Sequence, residues 1–495
     1  MRAKRLIATG ALVAVLAVTG PPAVFLGNVW WHDSAIPLQP PSPGTDDASH
    51  LNSNRAAEVI TVASDPAEAE KQLTQLVGRA SAEHLHLSIS GVRHSMGGHT
   101  IYPGGVVLDM LSFNRMSLDE NARILTVGAG ATWSDIIPFL DRRGYSVLVM
   151  QTNNDFSVGG SISVNCHGWQ NNSPPIASTV ESFRILTASG DIKNCSRTEN
   201  QELFSLALGG YGLFGVILEV KLHVIPNEYY VAEAHRVKPG DYSRVYHELT
   251  EHATDIGMAY GRVNVASHSF FEDGIVTVLR RRHTTLPTSS SLTDQTPSFL
   301  KRLVFRGGIG SDYGKNLRWW LETTIGETGR KLLSRNQILQ EPSSLYASRD
   351  PHLTDILHEY FVPVGRMGEF VAKVRPIFLK HHPDLLNVTV RNVEPDQDSF
   401  LRYAPEEVFG LVMLFSQRRD AEADREMQAL TRELIDVALS CGGRYYLPYR
   451  LHATQAQFEQ AYPRAGEFFE KKKRYDPAGI FQNEFYLKFA IHGGD

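Results

Sequence analysis

Cysteine is scarce in this chain of 495 residues: Cys166, Cys195 and Cys441 form no CxxC pair and no Cys/His spacing suited to zinc. No metal site is therefore expected. An odd number of thiols cannot all pair, so they are free or make at most one bridge. Charge of one sign is lacking too. The formal net charge is −5, with acidic and basic residues interspersed, which leaves no basic face to neutralise a phosphate backbone. Nucleic acid is not expected as a partner. No period of about 20 to 50 residues recurs, which argues against a repeat architecture. At this length two domains, or three, are expected.

One stretch lacks charge altogether. Arg2, Lys4 and Arg5 precede Leu6, and no acidic or basic side chain follows until after Trp31. Residues 6–27 are long enough to cross a hydrocarbon core, since a helix needs roughly 20 apolar residues to do so. Basic residues ahead of the run favour an N-terminus inside and a body outside, and Trp30 and Trp31 suit an interfacial belt. A cleaved signal peptide has a shorter apolar region and a small-residue site, both lacking here. Residues 1–31 are thus read as a signal anchor or transmembrane helix of a single-pass membrane protein with an extracytoplasmic catalytic domain. Residues 32–53, rich in Pro, Ser, Asp and Asn, read as a flexible tether.

Regular alternation begins near Glu58. "EVITVAS" reads as a strand, and "SDPAEAEKQLTQLVGRA" as a helix capped by Ser64 or Asp65 with Pro66 in its first turn. "LHLSIS", "GGVVLDM" and "RILTVGAGAT" read as strands and "TWSDIIPFLDRRGY" as a helix, an α+β pattern continuing to about Pro226. Beyond it, a Ser/Thr-rich insertion, the strands "LLNVTVRNV" and "VFGLVMLF", and the helix "DREMQALTRELIDVALSCGG" suggest a second domain on an antiparallel sheet.

Glycine clusters carry the chemistry. "SISGVRHSMGGHT" puts His94 and His99 into a glycine-rich turn after a strand, where backbone N–H groups can approach a phosphate. "DFSVGGSISVNCHGW" places small residues between Gly159-Gly160 and His167-Gly168, so that Ser161, Ser163 and Asn165 would line a narrow cleft with hydroxyl and amide partners. "GGYGLFG", residues 209–215, contains GxGxxG, but a helical "NQELFSLAL" precedes it and the β-rich "VILEVKLHV" follows, the reverse of a dinucleotide-binding fingerprint.

The order "SGVRHSMGG", "LDM", "SVGGSISVNCHG", "ILTASGDI", "ELFSLALGGYGLFGVILEVKL" and "YDPAGIFQNEF" resembles the flavin-binding order of the vanillyl-alcohol-oxidase superfamily. The resemblance covers residues 58–226 and the final fifty, with "HEYFVPV" between. It implies a two-subdomain PCMH-type FAD-binding domain at 54–227, an α+β substrate or cap domain with an antiparallel sheet at 228–450, and a C-terminal segment, 451–495, returning to the FAD domain. By the same resemblance FAD is held by Gly91, Val92, Arg93, His94, Ser95, Met96, Gly97 and Gly98, by Val158, Gly159, Gly160, Ser161, Ser163, Asn165, His167 and Gly168, and by Val216, Ile217 and Asn483. His94 matches the histidine through which many members attach FAD covalently. Cys166 lies after the glycine pair rather than before it, so a single covalent bond is expected.

"GGSISVNCHG" and "GGRYYLPYRLHATQAQFEQAYPRAGEFFEKKKRYDP" are similar to decaprenylphosphoryl-ribose oxidases, whose flavin is noncovalent and whose active-site lysine and cysteine fall here at Tyr449 and Leu411. "GVRHS" is similar to alditol and aldonolactone oxidases, which pair it with a substrate-domain arginine for which Arg391 is the candidate. The resemblance implies an FAD-dependent oxidoreductase that oxidises a hydroxyl-bearing carbon of a sugar, polyol or aldonolactone, with O2 as acceptor. The alternatives are a quinone- or protein-coupled dehydrogenase acting on a polyprenyl-phosphate sugar, and a non-catalytic flavin or ligand-binding protein. His167, Arg391, Tyr446 and Arg450 are the candidate catalytic residues, and Glu359 and His452 are weighed with the last three as proton acceptor.

Overall fold

The computed structural model describes residues 2–37, 46–52, 56–284, 292, 298–324 and 331–491, with side chains from residue 19 onward. Three sheets organise the described residues. The first is parallel, with Val106–Asp109 between Glu58–Thr61 and Leu87–Ser90. Helix Pro66–Glu83 joins its outer strands: Asp65 caps it by accepting from the Ala67 and Glu68 N–H groups, and Ala69, Leu73, Val77 and Ala80 form one buried stripe. His84 ends it in the left-handed region at φ 55°.

The second sheet is antiparallel about the long strand Val216–Pro226, which pairs with Ile124–Gly128, Val180–Leu186 and Tyr145–Val147. Helix Gln201–Ala207 precedes the turn holding Gly209, Gly212 and Gly215, and a strand follows, so the GxGxxG leads out of a helix as the sequence indicates. All three glycines have positive φ, and a Cβ at Gly215 would lie 2.3 Å from the Leu186 carbonyl oxygen.

The third sheet is antiparallel and eight-stranded, and its fifth, sixth and seventh strands are Asp384–Val393, Val408–Arg418 and Leu353–Pro363. Helix Ala421–Ser440 packs on it, capped by Asp420 and burying Met427, Leu430, Leu434 and Ile435. The first two of these three strands, this helix, and the early strands and helices named above fall where the sequence places them. The Ser/Thr-rich insertion lies largely outside the described residues. Near the C-terminus, Phe481 bridges Leu87 in parallel, and Asn483 donates to the carbonyls of His99 and Tyr211 at 2.9 Å each. The end of the chain is thus stitched to the first sheet.

The N-terminal segment differs from expectation in two ways. Among the described residues no helix is long and apolar enough to cross a membrane. The backbone is helical over Arg2–Ala35, with Pro21 and Pro22 inside, but the side chains of residues 6–18 in the expected span lie outside the described residues. The helix also runs past residue 31 because its end is held by the body: Arg302 donates twice to the Asp33 carboxylate at 2.6 Å, and Phe25 meets Tyr313 edge-on at 4.9 Å. Residues 46–52 of the expected tether are bound to the body as well, Asp47 being 4% exposed and Ser49 fully buried.

Candidate active site

Two glycine loops meet beside the first sheet. A Cβ added at Gly91 would sit 2.1 Å from Ser157 Oγ, so glycine there lets the two loops come this close, and one at Gly159 would sit 2.9 Å from the Cβ of Ala129, just after strand Ile124–Gly128. In the first loop Arg93 adopts φ 57° and its guanidinium lies 3.4 Å from Asp109. His94 stacks on Phe156 with centroids 4.1 Å apart, and its Nε2 lies 3.8 Å from Asp155 Oδ2. Burial lowers the His94 pKa, with Asp155 opposing, which favours the neutral ring. Ser95 Oγ and Thr100 Oγ1 are buried without a hydrogen-bond partner among the described residues. Orphaned hydroxyls beside a glycine cradle fit a polar ligand such as a nucleotide diphosphate. His99 is packed between Tyr211 and Phe485, and burial pushes its ring down to about 3.

The second loop opens a one-and-a-half-turn helix, Val158–Ser163. A helix does not alternate its side chains across two faces, and the consequence shows in the partners. Ser161 Oγ accepts from Trp133 Nε1 and donates to Gln151, while the Asn165 amide donates to Asp396 and accepts from the Ala177 N–H. Ser161 and Asn165 thus spend their polar atoms within the protein. Ser163 offers its carbonyl to the Tyr211 N–H. Gly168 passes the Met150 carbonyl, which a Cβ would approach to 2.0 Å. Val216 and Ile217 are buried at the start of their strand, and Met96 Sδ accepts from the Leu357 N–H.

His167 lies at the centre of the site. Its Nε2 is 2.7 Å from Glu359 Oε1, with the two side chains 4% and 1% exposed. This is a close contact rather than an aligned hydrogen bond: both ring nitrogens and Glu359 Oε1 lack an aligned partner among the described residues. Glu359 comes from strand Leu353–Pro363, and Gly410 on the neighbouring strand makes room for it, since a Cβ there would lie 3.0 Å from Oε1. Phe361, Tyr403 and Tyr446 surround the imidazole at centroid distances of 5.3, 5.7 and 5.9 Å.

Arg391, in the substrate-domain strand, donates to the His167 carbonyl at 3.3 Å, and its Nε is buried without a partner among the described residues. Tyr446 donates to the Val164 carbonyl at 2.8 Å, and Tyr449 to Glu359 Oε2 at 3.3 Å. Burial raises both phenols well above their ordinary value, so they act as donors. Burial also pushes the Cys166 thiol up to about 12, which leaves no nucleophilic thiolate. The three cysteines are free and buried.

The structure therefore brings His167, Glu359, Arg391, Tyr446 and Tyr449 together and leaves Arg450 and His452 out. Arg450 donates to Asn52 at 2.6 Å and to Asp424 at 2.9 Å, and the His452 Nδ1 pairs with Thr431 at 2.9 Å. Both line a polar cavity of about 290 Å³ with Asn52, Gly97, Asp424 and Glu484. The Tyr449 contact was not legible as a functional one; its only signal is that Tyr449 falls at the lysine position of the ribose oxidases.

Comparison with known proteins bears on the family. A family profile described as FAD binding domain matches residues 66–196, a span that includes both glycine loops and His167. The match supports membership of the FAD-dependent oxidoreductase superfamily. It is 22% identical over 441 residues to the decaprenylphosphoryl-beta-D-ribose oxidase of Mycolicibacterium smegmatis, covering 81% of this chain and 88% of that one. With the L-gulonolactone oxidase of Bos taurus it shares 24% over 435 residues, 84% and 92% of the two chains. An uncharacterised oxidoreductase of a fasciation locus in Rhodococcoides fascians is 31% identical over 195 residues, 39% of this chain and 42% of that relative. This FAD-dependent oxidoreductase is accordingly an enzyme.

Proposed function

We propose that this enzyme oxidises a hydroxyl-bearing carbon of a sugar, polyol or aldonolactone, and that the His167–Glu359 pair receives the hydroxyl proton. The observation that carries the reading is that pair: a buried imidazole against a buried carboxylate, with unpartnered polar atoms, between the FAD-binding loops and the substrate-domain sheet. Relatives whose names specify gulonolactone and a decaprenylphosphoryl ribose align over most of the chain, which supports a sugar-like substrate. FAD supplies the acceptor for the hydride that leaves the carbon. Residues 91–98, Gly159, Gly160 and Gly168 would hold it, with Ser95 as a hydroxyl partner.

The remaining chemistry belongs to side chains. A substrate hydroxyl approaching His167 meets a nitrogen able to take its proton, and Glu359 holds the resulting imidazolium by charge. Glu359 in turn accepts from Tyr449, which fixes the carboxylate in place. Arg391 offers a guanidinium to the substrate oxygen. Leu411 pairs with Tyr360 and Val390, one position off Glu359 and Arg391, and so faces the other side of the sheet; the cysteine that the ribose oxidases carry there has no counterpart here.

His94, a neutral ring stacked at the mouth of the glycine loop, is the proposed point of covalent FAD attachment. Membrane anchorage through the N-terminal helix, with the catalytic domain outside, rests on the basic residues ahead of the apolar run and on Trp30 and Trp31. The acceptor we assign is O2. The test is anaerobic mixing with alditols, aldoses, aldonolactones and polyprenyl-phosphate sugars: loss of visible flavin absorption with at least one is expected. On admitting air, fast recovery with peroxide supports an oxidase, and slow recovery accelerated by a quinone analogue replaces O2 with a quinone as acceptor. No bleaching by any substrate, while dithionite bleaches, overturns the reading in favour of a flavin-binding protein.

A further inference from the structure

Residues 46–52 precede the matched FAD-binding domain and contain no glycine loop, yet they are bound to the cofactor loop at every turn. The Ala48 N–H donates to the carbonyls of Arg93 and Ser95 at 3.0 and 3.2 Å, the two residues flanking His94. Asp47 Oδ2 accepts from the Gly98 N–H at 2.8 Å and from the Asn52 amide at 2.7 Å, while its Oδ1 accepts from the Ser49 N–H and hydroxyl. Asn52 also donates to the Met96 carbonyl at 2.9 Å.

The same segment reaches the substrate domain. Thr354 donates to the Ser49 carbonyl at 2.7 Å, from the strand that carries Glu359, and Arg450 donates to Asn52 at 2.6 Å, one residue beyond Tyr449. Met96 is held from the other side by the Pro448 carbonyl, which accepts its N–H. A segment composed like a linker therefore ties residues 93–98 to the two elements that present Glu359 and Tyr449. Gly98 sits at φ 66°, and a Cβ there would lie 2.5 Å from Glu484 Cγ, so its backbone has one tight seat and Asp47 secures its N–H.

We propose that residues 46–52 are a strap belonging to the flavin site, with Asp47 as the positioning residue that fixes the loop on either side of His94. The proposal rests on the reading that this loop holds FAD. A buried carboxylate is suited to the task because it accepts from several N–H donors at once, and each such bond is about twice as strong as a neutral one. Removing it frees Gly98, the Asn52 amide and the Ser49 turn together. Asp47 touches neither His167 nor Glu359 and acts only through the loop.

The test uses the full-length protein with Asp47→Ala, the milder Asn52→Ala, and Val77→Ala as a control that opens a cavity in helix Pro66–Glu83 away from the loop. Amide hydrogen exchange is read for residues 93–98, and the FAD content per polypeptide of the purified protein by its visible absorption. Asp47→Ala should speed exchange at Gly98 by about ten- to a hundredfold, the loss of one charge-assisted bond, and the purified variant should carry less FAD per polypeptide than the control at matched thermal stability. Asn52→Ala should show the same change to a smaller degree. Unaltered exchange in both variants, or an FAD content no lower than in Val77→Ala, overturns the strap. If wild-type protein holds no FAD, the flavin reading of the loop fails instead, and the exchange measurement still decides whether the strap fixes it.

Discussion

Replacing Glu359 by Gln keeps the shape of the catalytic pair and removes its charge. At the observed 2.7 Å between His167 Nε2 and Glu359 Oε1, a charge pair is worth about 6 kcal/mol at an effective dielectric near 20. Both side chains are nearly inaccessible to water, so solvent replaces little of that attraction. The carboxylate must act on the imidazolium that forms as the hydroxyl proton arrives, and its loss should appear in the transition state. Part of the attraction offsets the cost of holding the charges in a buried site as they form, so the expected loss is about 3 to 5 kcal/mol, roughly two to nearly four decades in rate. The assay is anaerobic stopped-flow loss of visible flavin absorption at saturating substrate, with unfolding followed separately to confirm an intact fold. His167→Ala should fall by a similar factor, and the double variant should be scarcely slower than either single one, because the two groups act as a unit. A Glu359→Gln enzyme that bleaches within about threefold of wild type would refute the role given to the pair, since that corresponds to less than about 1 kcal/mol.

Other expectations concern the residues around it. Arg391→Ala should slow bleaching about ten- to a hundredfold, as one charge-assisted hydrogen bond of about 1.5 to 3 kcal/mol is lost, and an unchanged rate would remove Arg391 from substrate contact. Acid precipitation of wild-type protein should leave flavin on the polypeptide and His94→Ala should release it; complete release from the wild type would contradict the covalent link. Burial opposes ionisation of Asp424, but His452 and Arg450 outweigh it and hold the carboxyl at about 2. A carboxylate depressed in the folded state contributes stability above its unfolded pKa and loses it as pH falls from about 4 to about 2, so Asp424→Asn should destabilise by about 2 kcal/mol near neutral pH and by little at about pH 2 in urea unfolding. An equal deficit at both pH values would contradict that sign.

The sequence was most legible where local chemistry and packing agree. Asp65 and Pro66 announce a helix start, and Leu73 and Val77 share its buried face; nothing long-range is needed to read them. The glycine loops were legible for a related reason, because a missing Cβ is itself the feature that lets Gly91 approach Ser157. The segment after Gly160 was not, since small polar residues serve a short helix and a strand equally well. Glu359 could be named as a candidate, but its contact with His167 joins elements almost two hundred positions apart, and only the sheet register of Gly410 opposite Phe361 creates the space. Arg450 stands among the candidates with Tyr446, but the chain turns over residues 447–449 and sends two neighbours to different partners: Tyr449 reaches Glu359 and Arg450 reaches Asn52. Residues 46–52 read as a tether because their composition is that of one, and their partners lie on two other parts of the chain.

The central claim is that a hydroxyl-bearing carbon gives up its hydrogen to FAD while the His167–Glu359 pair takes the hydroxyl proton. The most direct measurement compares the rate of anaerobic flavin bleaching with a substrate carrying hydrogen or deuterium on that carbon, in wild-type enzyme and in Glu359→Gln. Slower bleaching with deuterium, and a further loss of rate in the variant with the isotope effect retained, is the result predicted. Bleaching that is indifferent to both the isotope and the variant would contradict it.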